Sequence, residues 1–217
     1  MLKQSFKDSF IEFCENNKFE KNNNQIEIID LLITFINPKK KFFRIFQNNY
    51  NKLCFYLFGG VGVGKTMILD HFYNNLNCKK KRSHFNEFMI SFHDFVFKNK
   101  GNNHENIIDK FVNKLSKKYQ LIYFDEFQVT NIADAMILGN LFKKIFDKNI
   151  KILFSSNVKI NDLYKDGLQR DQFLPFIKII KNKCYQKNLI IEEDYRKSQN
   201  KRNKRNERFF YPLNEKT

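Results

Sequence analysis

The sequence predicts an α/β fold in which helices cover both faces of a parallel β-sheet, and three observations point to it. Short apolar runs alternate along the chain with longer segments whose apolar residues recur at helical spacing. The first run, LCFYLF, is apolar throughout, as expected of a strand buried on both faces. The first run leads into a glycine-rich turn and then a helical segment. This alternation is typical of a three-layer α/β sandwich.

The strands are predicted from these apolar runs. The first, LCFYLF at residues 53–58, is bounded by Gly59 and Gly60. Similar runs follow at residues 83–85, 121–124 and 150–154, and a less clear one lies around residues 189–191. The sequence therefore predicts a five-stranded sheet.

The helices are predicted from apolar spacing and from their end signals. The second stops before Pro38, because proline disfavours helical geometry in the preceding residue. Asn131 is the kind of residue that caps a helix N-terminus. The predicted helices cover residues 6–14, 25–36, 66–76, 87–98, 132–148 and 168–181. Residues 196–208 contain no apolar side chain and are predicted to be a solvated linker or tail.

Composition excludes several classes of protein. The chain has 217 residues, of which 42% are hydrophobic and 26 are Phe, so it can bury a core and is not disordered throughout. No uncharged apolar run approaches the ~20 residues of a membrane-spanning helix. The N-terminus resembles neither a secretory signal nor a transit peptide, so we expect no cleaved leader. The 4 cysteines contain no CxxC pair, which disfavours a disulfide framework or zinc ribbon and indicates a reducing cytosol.

The net charge of +16 raises the question of an anionic partner. Such a charge suggests nucleic acid or a membrane surface. However, lysine far outnumbers arginine and asparagine is common, as an AT-rich genome would encode wherever a solvated polar residue is tolerated. Nucleic-acid contact therefore stays an alternative.

The segment GGVGVGKT, after the first strand, predicts a phosphate-binding loop. It fits G-x-x-x-x-G-K-[ST] in the strand–turn–helix context that this motif requires. Glycines let the backbone N–H groups approach phosphates, and the N-terminus of the following helix stabilises the anion. The predicted ATP-binding residues are Gly59, Gly60, Val61, Gly62, Val63, Gly64, Lys65 and Thr66. Lys65 would reach the β- and γ-phosphates, and Thr66 would bind Mg²⁺.

Two acidic residues stand at the end of the buried strand in LIYFDEF and are the predicted metal ligand and base. Asp125 would hold Mg²⁺, usually through a water, and Glu126 would orient and deprotonate the attacking water. An acidic pair at a strand end can also merely cap the next helix, but the phosphate-binding loop favours the catalytic interpretation.

Two further polar residues are candidates for the same reaction. Asn157 follows the strand IKILFSS, where its amide would hold the attacking water, although an isolated Asn there can be a turn residue. Arg170 would stabilise the transferring phosphate as an arginine finger, or form a surface ion pair with Asp166 or Asp171.

Together with FGGVGVGKTMILDHFY and KKRSHFNEFM, the segments FDEFQVTNIADAMILGNLF, SSN and LYKDGLQRDQFLPFI resemble the ZapE cell-division ATPases and their mitochondrial AFG-like relatives, a branch of the AAA+ superfamily. The resemblance implies a P-loop NTPase core with sheet order 5-1-4-3-2. It implies Lys65 as the Walker A lysine, Asp125 and Glu126 as the Walker B pair, Asn157 as sensor 1, and Arg170 as a finger acting on a neighbouring subunit of a ring-like homo-oligomer.

The chain departs from the family pattern in places. Asn86 stands in place of a second histidine, Asn131 in place of an aspartate, and Gln172 in place of a second basic residue. The resemblance also implies a C-terminal lid beyond RFFYPL, whereas the chain ends at Thr217, so we expect the lid to be lacking. We divide the chain into an N-terminal helical leader (1–50), an AAA+ core (51–194) and a basic tail (195–217).

Three functions remain open at this point. The first is an AAA+ ATPase that hydrolyses Mg-ATP to remodel or regulate a protein partner in the bacterial cytoplasm, with the division-ring protein FtsZ as the partner that the resemblance implies. The second is a loader-like AAA+ ATPase acting on DNA, suggested by the basic charge. The third is a nucleotide-binding scaffold without turnover, because the lid is missing.

Overall fold

Five parallel strands form one sheet in the order β2-β3-β4-β1-β5 in the computed structural model, which describes residues 3–19, 23–37, 52–99 and 104–190. This order is the predicted one counted from the opposite edge, so the predicted sheet is confirmed. Because every pairing is parallel, the carboxyl ends of all the strands lie along one edge. The strands are β1 (Cys54–Phe58), β2 (Lys80–His84), β3 (Leu121–Asp125), β4 (Lys151–Ser156) and β5 (Cys184–Asn188).

Helices cover both faces of the sheet. Tyr56 of β1 and Phe124 of β3 pack on one face against α4–α7, whereas Phe55 and Tyr123 pack on the other against α1–α3. Both faces of these strands are therefore buried, which explains their apolar sequences. The helices are α1 (Lys3–Asn16), α2 (Asn23–Ile36), α3 (Lys65–Asn74), α4 (Phe85–Lys98), α5 (His104–Lys118), α6 (Ile132–Asp147) and α7 (Arg170–Lys183). Within the described ranges, no helix is long and apolar enough to cross a membrane.

The predicted elements differ from the observed ones in three places. The last strand covers Cys184–Asn188 and not residues 189–191, because the polar segment CYQKN pairs with β1 and is the last strand of the sheet formed by the described residues. The second strand begins three residues earlier than predicted and includes a run of basic residues at the opposite edge. Helix α5 was not predicted. The capping role of Asn131 is confirmed, since its Oδ1 accepts a hydrogen bond from Ala133 N at 2.8 Å. The tail at 195–217 lies outside the described residues, and the division of the chain into leader, core and tail stays a prediction.

The sequence disfavours a disulfide framework, yet two of the cysteines are neighbours in the sheet. Cys54 and Cys184 lie opposite each other on β1 and β5, with Cα atoms 4.3 Å apart. Their separation of 130 residues gave no signal of contact, because only the pairing of β5 with β1 brings them together. Of the other two cysteines, Cys14 is buried and Cys78 is partly exposed.

Candidate active site

The glycine-rich loop joins β1 to α3 and takes a conformation that requires glycine. Gly62 and Gly64 have φ values of 84° and 92°, which side-chain-bearing residues rarely adopt, and Gly64 is the N-cap of α3. A Cβ atom on Gly59 would lie 2.4 Å from the carbonyl oxygen of Leu189. The loop is therefore fixed between the end of β5 and the start of α3, with a helix N-terminus at its end.

The Lys65 side chain lies inside this loop. Its Nζ donates hydrogen bonds to the carbonyl oxygens of Gly59 at 3.0 Å and Gly60 at 2.6 Å, and to Oδ1 of Asn157 at 2.9 Å. Burial lowers the pKa of Lys65, and the negative charge of Asp125 partly opposes this effect. The ammonium group thus joins the loop after β1 to the residue after β4, which brings two of the predicted site residues together.

Asp125 is buried at the end of β3 and is held by several donors. Its Oδ2 accepts a hydrogen bond from Nη2 of Arg82 at 2.5 Å, and its Oδ1 accepts from the backbone N of Glu126 at 3.1 Å and from the Tyr123 hydroxyl at 3.3 Å. Burial alone would raise the pKa of Asp125, but the Arg82 contact, with a further hydrogen bond from Ser155, lowers it. Asp125 is therefore an ionised carboxylate, as a metal-binding role requires.

Arg82 is the site residue that the sequence interpretation missed. It lies on β2, where the register places it beside Tyr123 of β3, and its guanidinium carbon is 5.1 Å from the centroid of that ring. Its second nitrogen, Nη1, donates to Asp70 of α3 at 2.9 Å. Arg82 therefore links the helix of the phosphate-binding loop to the acidic end of β3. Its only sequence signal was an arginine within a lysine-rich stretch near the second strand.

The Glu126 side chain extends into solvent beside Asp125. Its backbone has a φ of 51°, unusual for a residue other than glycine, and its side chain is 78% exposed. Nδ1 of His84, at the end of β2, lies 3.9 Å from Glu126 Oε2. The carboxylate is thus accessible to water at the same sheet edge as Asp125.

Backbone hydrogen bonds hold the acidic pair next to the end of β4. Phe127 N donates to the carbonyl oxygen of Ser155 at 2.7 Å, and Ser156 Oγ donates to the carbonyl oxygen of Phe127, also at 2.7 Å. Asn157 follows immediately. The segment after β3 is therefore attached to the strand that carries Asn157.

Arg170 does not form the predicted ion pair, and its role as a finger on a neighbouring copy of the chain stays a prediction. Its guanidinium donates to the carbonyl oxygens of Leu163 at 2.8 Å and Asn161 at 2.7 Å. Among the described residues, no ion pair joins it to Asp166 or Asp171. These contacts place Arg170 at the first turn of α7, so a finger role requires a second copy of the chain.

The donors at this edge fit a nucleotide with magnesium. Gly64 places the N-terminus of α3 beside the Lys65 ammonium, and both stabilise anions. The exposed Thr66 hydroxyl and the ionised Asp125 carboxylate supply the oxygen ligands that Mg²⁺ prefers. Because Arg82 and Glu126 N already occupy both oxygens of Asp125, contact through a water fits this carboxylate better than a direct bond.

A model of the AFG1-like ATPase family matches residues 19–217, which include all of these site residues. The chain belongs to the AFG1-like ATPase family. ATP hydrolysis is a property of this AAA+ family, and the resemblance inferred from the sequence motifs is confirmed.

Curated relatives of this AFG1-like chain include bacterial and animal proteins. Cell division protein ZapE of Escherichia coli (strain K12) is 40% identical over 142 residues, covering 65% of this chain and 37% of that protein. Lactation elevated protein 1 homolog B of Danio rerio is 40% identical over 152 residues, covering 65% of this chain and 30% of its own length. The chain thus spans about a third of the length of these relatives.

Solved structures with the same fold come from replication proteins. Domain III of the Thermotoga maritima replication initiation protein DnaA superposes with a TM-score of 0.57 at 17% identity, covering 86% of this chain and 70% of that one. The AMPPCP-bound DnaA from Aquifex aeolicus superposes with a TM-score of 0.54 at 14% identity, covering 87% of this chain and 54% of that one. The DnaC helicase loader superposes with a TM-score of 0.53 at 12% identity, covering 78% of this chain and 92% of that one. At these identities the likeness shows the fold alone, that of the P-loop AAA+ ATPases.

Proposed function

We propose that the protein is an AAA+ ATPase that binds Mg-ATP at the loop 59–66 and couples its hydrolysis to remodelling or regulating a protein partner. The observation that carries the proposal is the position of the Lys65 ammonium, which lies within hydrogen-bonding distance of two loop carbonyl oxygens and of Asn157. A triphosphate at the N-terminus of α3 would replace the carbonyl oxygens as acceptors, since it offers charged oxygens at the same place.

Each residue has one proposed task. Lys65 and the loop N–H groups bind the β- and γ-phosphates, while Thr66 and Asp125 hold Mg²⁺. Glu126 accepts a proton from the attacking water, and Asn157 positions that water. When bound, Mg²⁺ neutralises charge that develops on the phosphates. Arg170 acts on the nucleotide of a neighbouring copy, so the proposed active form is a ring-like homo-oligomer.

Two substitutions test binding and hydrolysis separately. Lys65→Ala should lower ATP affinity roughly 10- to 100-fold, because a hydrogen bond from a charged donor is lost. Glu126→Gln should bind ATP normally and hydrolyse it about 10²- to 10⁴-fold more slowly. Lys143→Ala, an exposed lysine on α6, is the matched control. Equal hydrolysis by all three would refute the proposal, and normal ATP binding without turnover by the unmodified protein would favour the scaffold function.

A mixing experiment tests the role of Arg170. Arg170→Ala removes the finger, and Lys65→Ala removes the nucleotide from its own site. A mixed oligomer contains interfaces with an intact Lys65 site facing an intact Arg170, so part of the ATPase activity should return. No recovery in an oligomer shown to contain both variants would exclude a finger that acts between copies.

We propose that this activity serves cell division in the bacterial cytoplasm, a proposal supported by the similarity to Cell division protein ZapE of Escherichia coli. FtsZ is the proposed partner. Sedimentation of FtsZ polymers with the Glu126→Gln protein and ATP should recover more of the protein than sedimentation with the Lys65→Ala protein. Equal recovery of both variants, or none of either, would exclude a nucleotide-dependent FtsZ complex.

The basic charge favours a second candidate, a loader-like ATPase acting on DNA. The net charge is +16, and the DnaC helicase loader shares the fold. In this case DNA affinity should fall steeply with salt and weaken when residues 196–208 are removed. DNA binding that is absent at low salt would exclude it.

A further inference from the structure

Gln25 is a buried polar residue on a helix face that is otherwise apolar. It lies near the start of α2 and is 1% exposed, and the other buried residues of α2 are Ile28, Ile29, Leu32, Ile33 and Phe35. Neither Nε2 nor Oε1 has a hydrogen-bond partner in the part of the chain that the structure describes. Because an unpaired buried amide destabilises the folded protein, packing alone would favour leucine or methionine at this position.

The Gln25 amide lies against the phosphate-binding loop. Its Nε2 is 3.9 Å from the point that a Cβ atom of Gly64 would occupy, and Cε of Met67 is 3.5 Å from the same point. Gly64 is the N-cap of α3, where the proposed function places the triphosphate. The unpaired amide is therefore next to the nucleotide site, on the side formed by α2.

We propose that Gln25 recognises the adenine base of the nucleotide and selects it over guanine, an inference that rests on the function proposed above. A glutamine amide has a donor and an acceptor side by side. Adenine presents a matching pair, the N7 acceptor and the N6 amino donor, whereas guanine presents two acceptors, N7 and O6. Nε2 would donate to N7, and Oε1 would accept from the N6 amino group. With guanine, Oε1 would face O6 without a proton between them.

Met67 provides a route for the base to reach the amide. Its side chain is half-buried and flanks the same space beside Gly64. Methionine is unbranched, so it can change rotamer without moving the backbone of α3. The base would then lie between Met67 and the start of α2, and the unpaired amide would gain both its partners.

The test measures equilibrium binding of fluorescent ATP, fluorescent GTP and inorganic triphosphate to the intact chain. The unmodified protein should prefer ATP over GTP by roughly 10- to 100-fold. Gln25→Leu should lose this preference through weaker ATP binding, with GTP and triphosphate affinities unchanged. Gln25→Met, which keeps the length of the side chain, should behave in the same way. Gln120→Leu, at an exposed glutamine, should keep the preference.

Thermal unfolding without nucleotide separates recognition from a structural role. Gln25→Leu and Gln25→Met should unfold at or above the temperature of the unmodified protein, because the unpaired amide is gone. An unchanged ATP-to-GTP ratio in both variants, or equal losses for all three ligands, would overturn the inference and leave the proposed function standing. Failure of the unmodified protein to bind any of the ligands would overturn both.

Discussion

Replacing Arg82 with glutamine should destabilise the protein by about 2–3 kcal/mol, because it leaves the buried Asp125 carboxylate without its cation. Removing one partner of a fully buried ion pair costs about 3–5 kcal/mol. The Arg82 side chain is 40% exposed, so water can reach part of the vacated space and the lower value applies. The contact with Asp70 is more exposed and contributes about 0.2–1 kcal/mol. Urea unfolding at pH 7 measures the loss.

A double-mutant cycle isolates the contribution of the Arg82–Asp125 pair. In an Asp125→Asn background there is no buried charge to leave unpaired, so Arg82→Gln should cost only the Asp70 contact, under about 1 kcal/mol. The coupling free energy between the two substitutions should therefore be about 1–3 kcal/mol. Arg82→Lys should recover only part of the lost stability. It keeps the positive charge, but one ammonium cannot contact both carboxylates as the guanidinium does.

The pH dependence gives a second, independent measurement. Because Arg82 lowers the pKa of Asp125 in the folded protein, the unfolded chain binds the proton at a higher pH. The stabilisation from the Arg82–Asp125 contact is therefore complete above about pH 4, the ordinary pKa of a carboxyl group in the unfolded chain. It is lost as the pH falls through the lower pKa that Asp125 has in the folded protein. The difference between the unmodified protein and Arg82→Gln should shrink below about pH 4. A constant difference down to pH 3, or additive effects in the cycle, would refute the reasoning.

Three further stability predictions follow from single contacts. Gly59→Ala should lower the free energy of unfolding in urea by about 2–3 kcal/mol, since its Cβ atom would lie 2.4 Å from a backbone oxygen. In Gly60→Ala the atom nearest to the added Cβ is 3.6 Å away, so the loss should be under about 1 kcal/mol. Burial lowers the pKa of His71, so the unfolded chain takes up the proton first and the unfolding temperature should fall as pH drops below about 6.5. His71→Phe should reduce that slope, and an equal slope would contradict the assignment. Lys80 Nζ donates hydrogen bonds to three carbonyl oxygens at the end of α3, so Lys80→Met should lower the free energy of unfolding in urea by about 1 kcal/mol. Lys81→Met should leave it unchanged. Equal effects of the two substitutions would exclude a stabilising role of Lys80 at the end of this helix.

The fold could be predicted where strands are buried on both faces. β1, β3 and β4 lie inside the sheet, and their sequences are apolar because helices cover each face. β5 could not be found in the same way. It is an edge strand with the sequence CYQKN, whose pairing with β1 leaves no periodic signal, and the apolar residues after it attracted the prediction instead.

The sequence could predict some of the site residues but not others, for a similar physical reason. Lys65, Asp125 and Asn157 could be predicted because they lie in the loop region after β1, at the end of β3 and directly after β4, and parallel strands bring their carboxyl ends to one edge. Arg82 and Gln25 could not. The contact of Arg82 with Asp125 depends on the register of β2 against β3, and the position of Gln25 depends on how α2 packs against α3. Neither depends on a fixed spacing in the sequence.

Several residues that violate the local rules of stable folding lie together at this edge. Lys65 is a buried ammonium at 7% exposure, Gln25 is a buried amide without partners among the described residues, and Glu126 has a left-handed backbone with a φ of 51°. Each of these features destabilises the folded chain when considered alone. The left-handed backbone is not confined to this edge, since Asn149, Tyr164 and Gln169 also have it. The buried Lys65 ammonium and the unpaired Gln25 amide both lie beside Gly64. Because such violations are expected where binding or catalysis requires them, these two buried polar groups support this edge as the site of function independently of the sequence motifs.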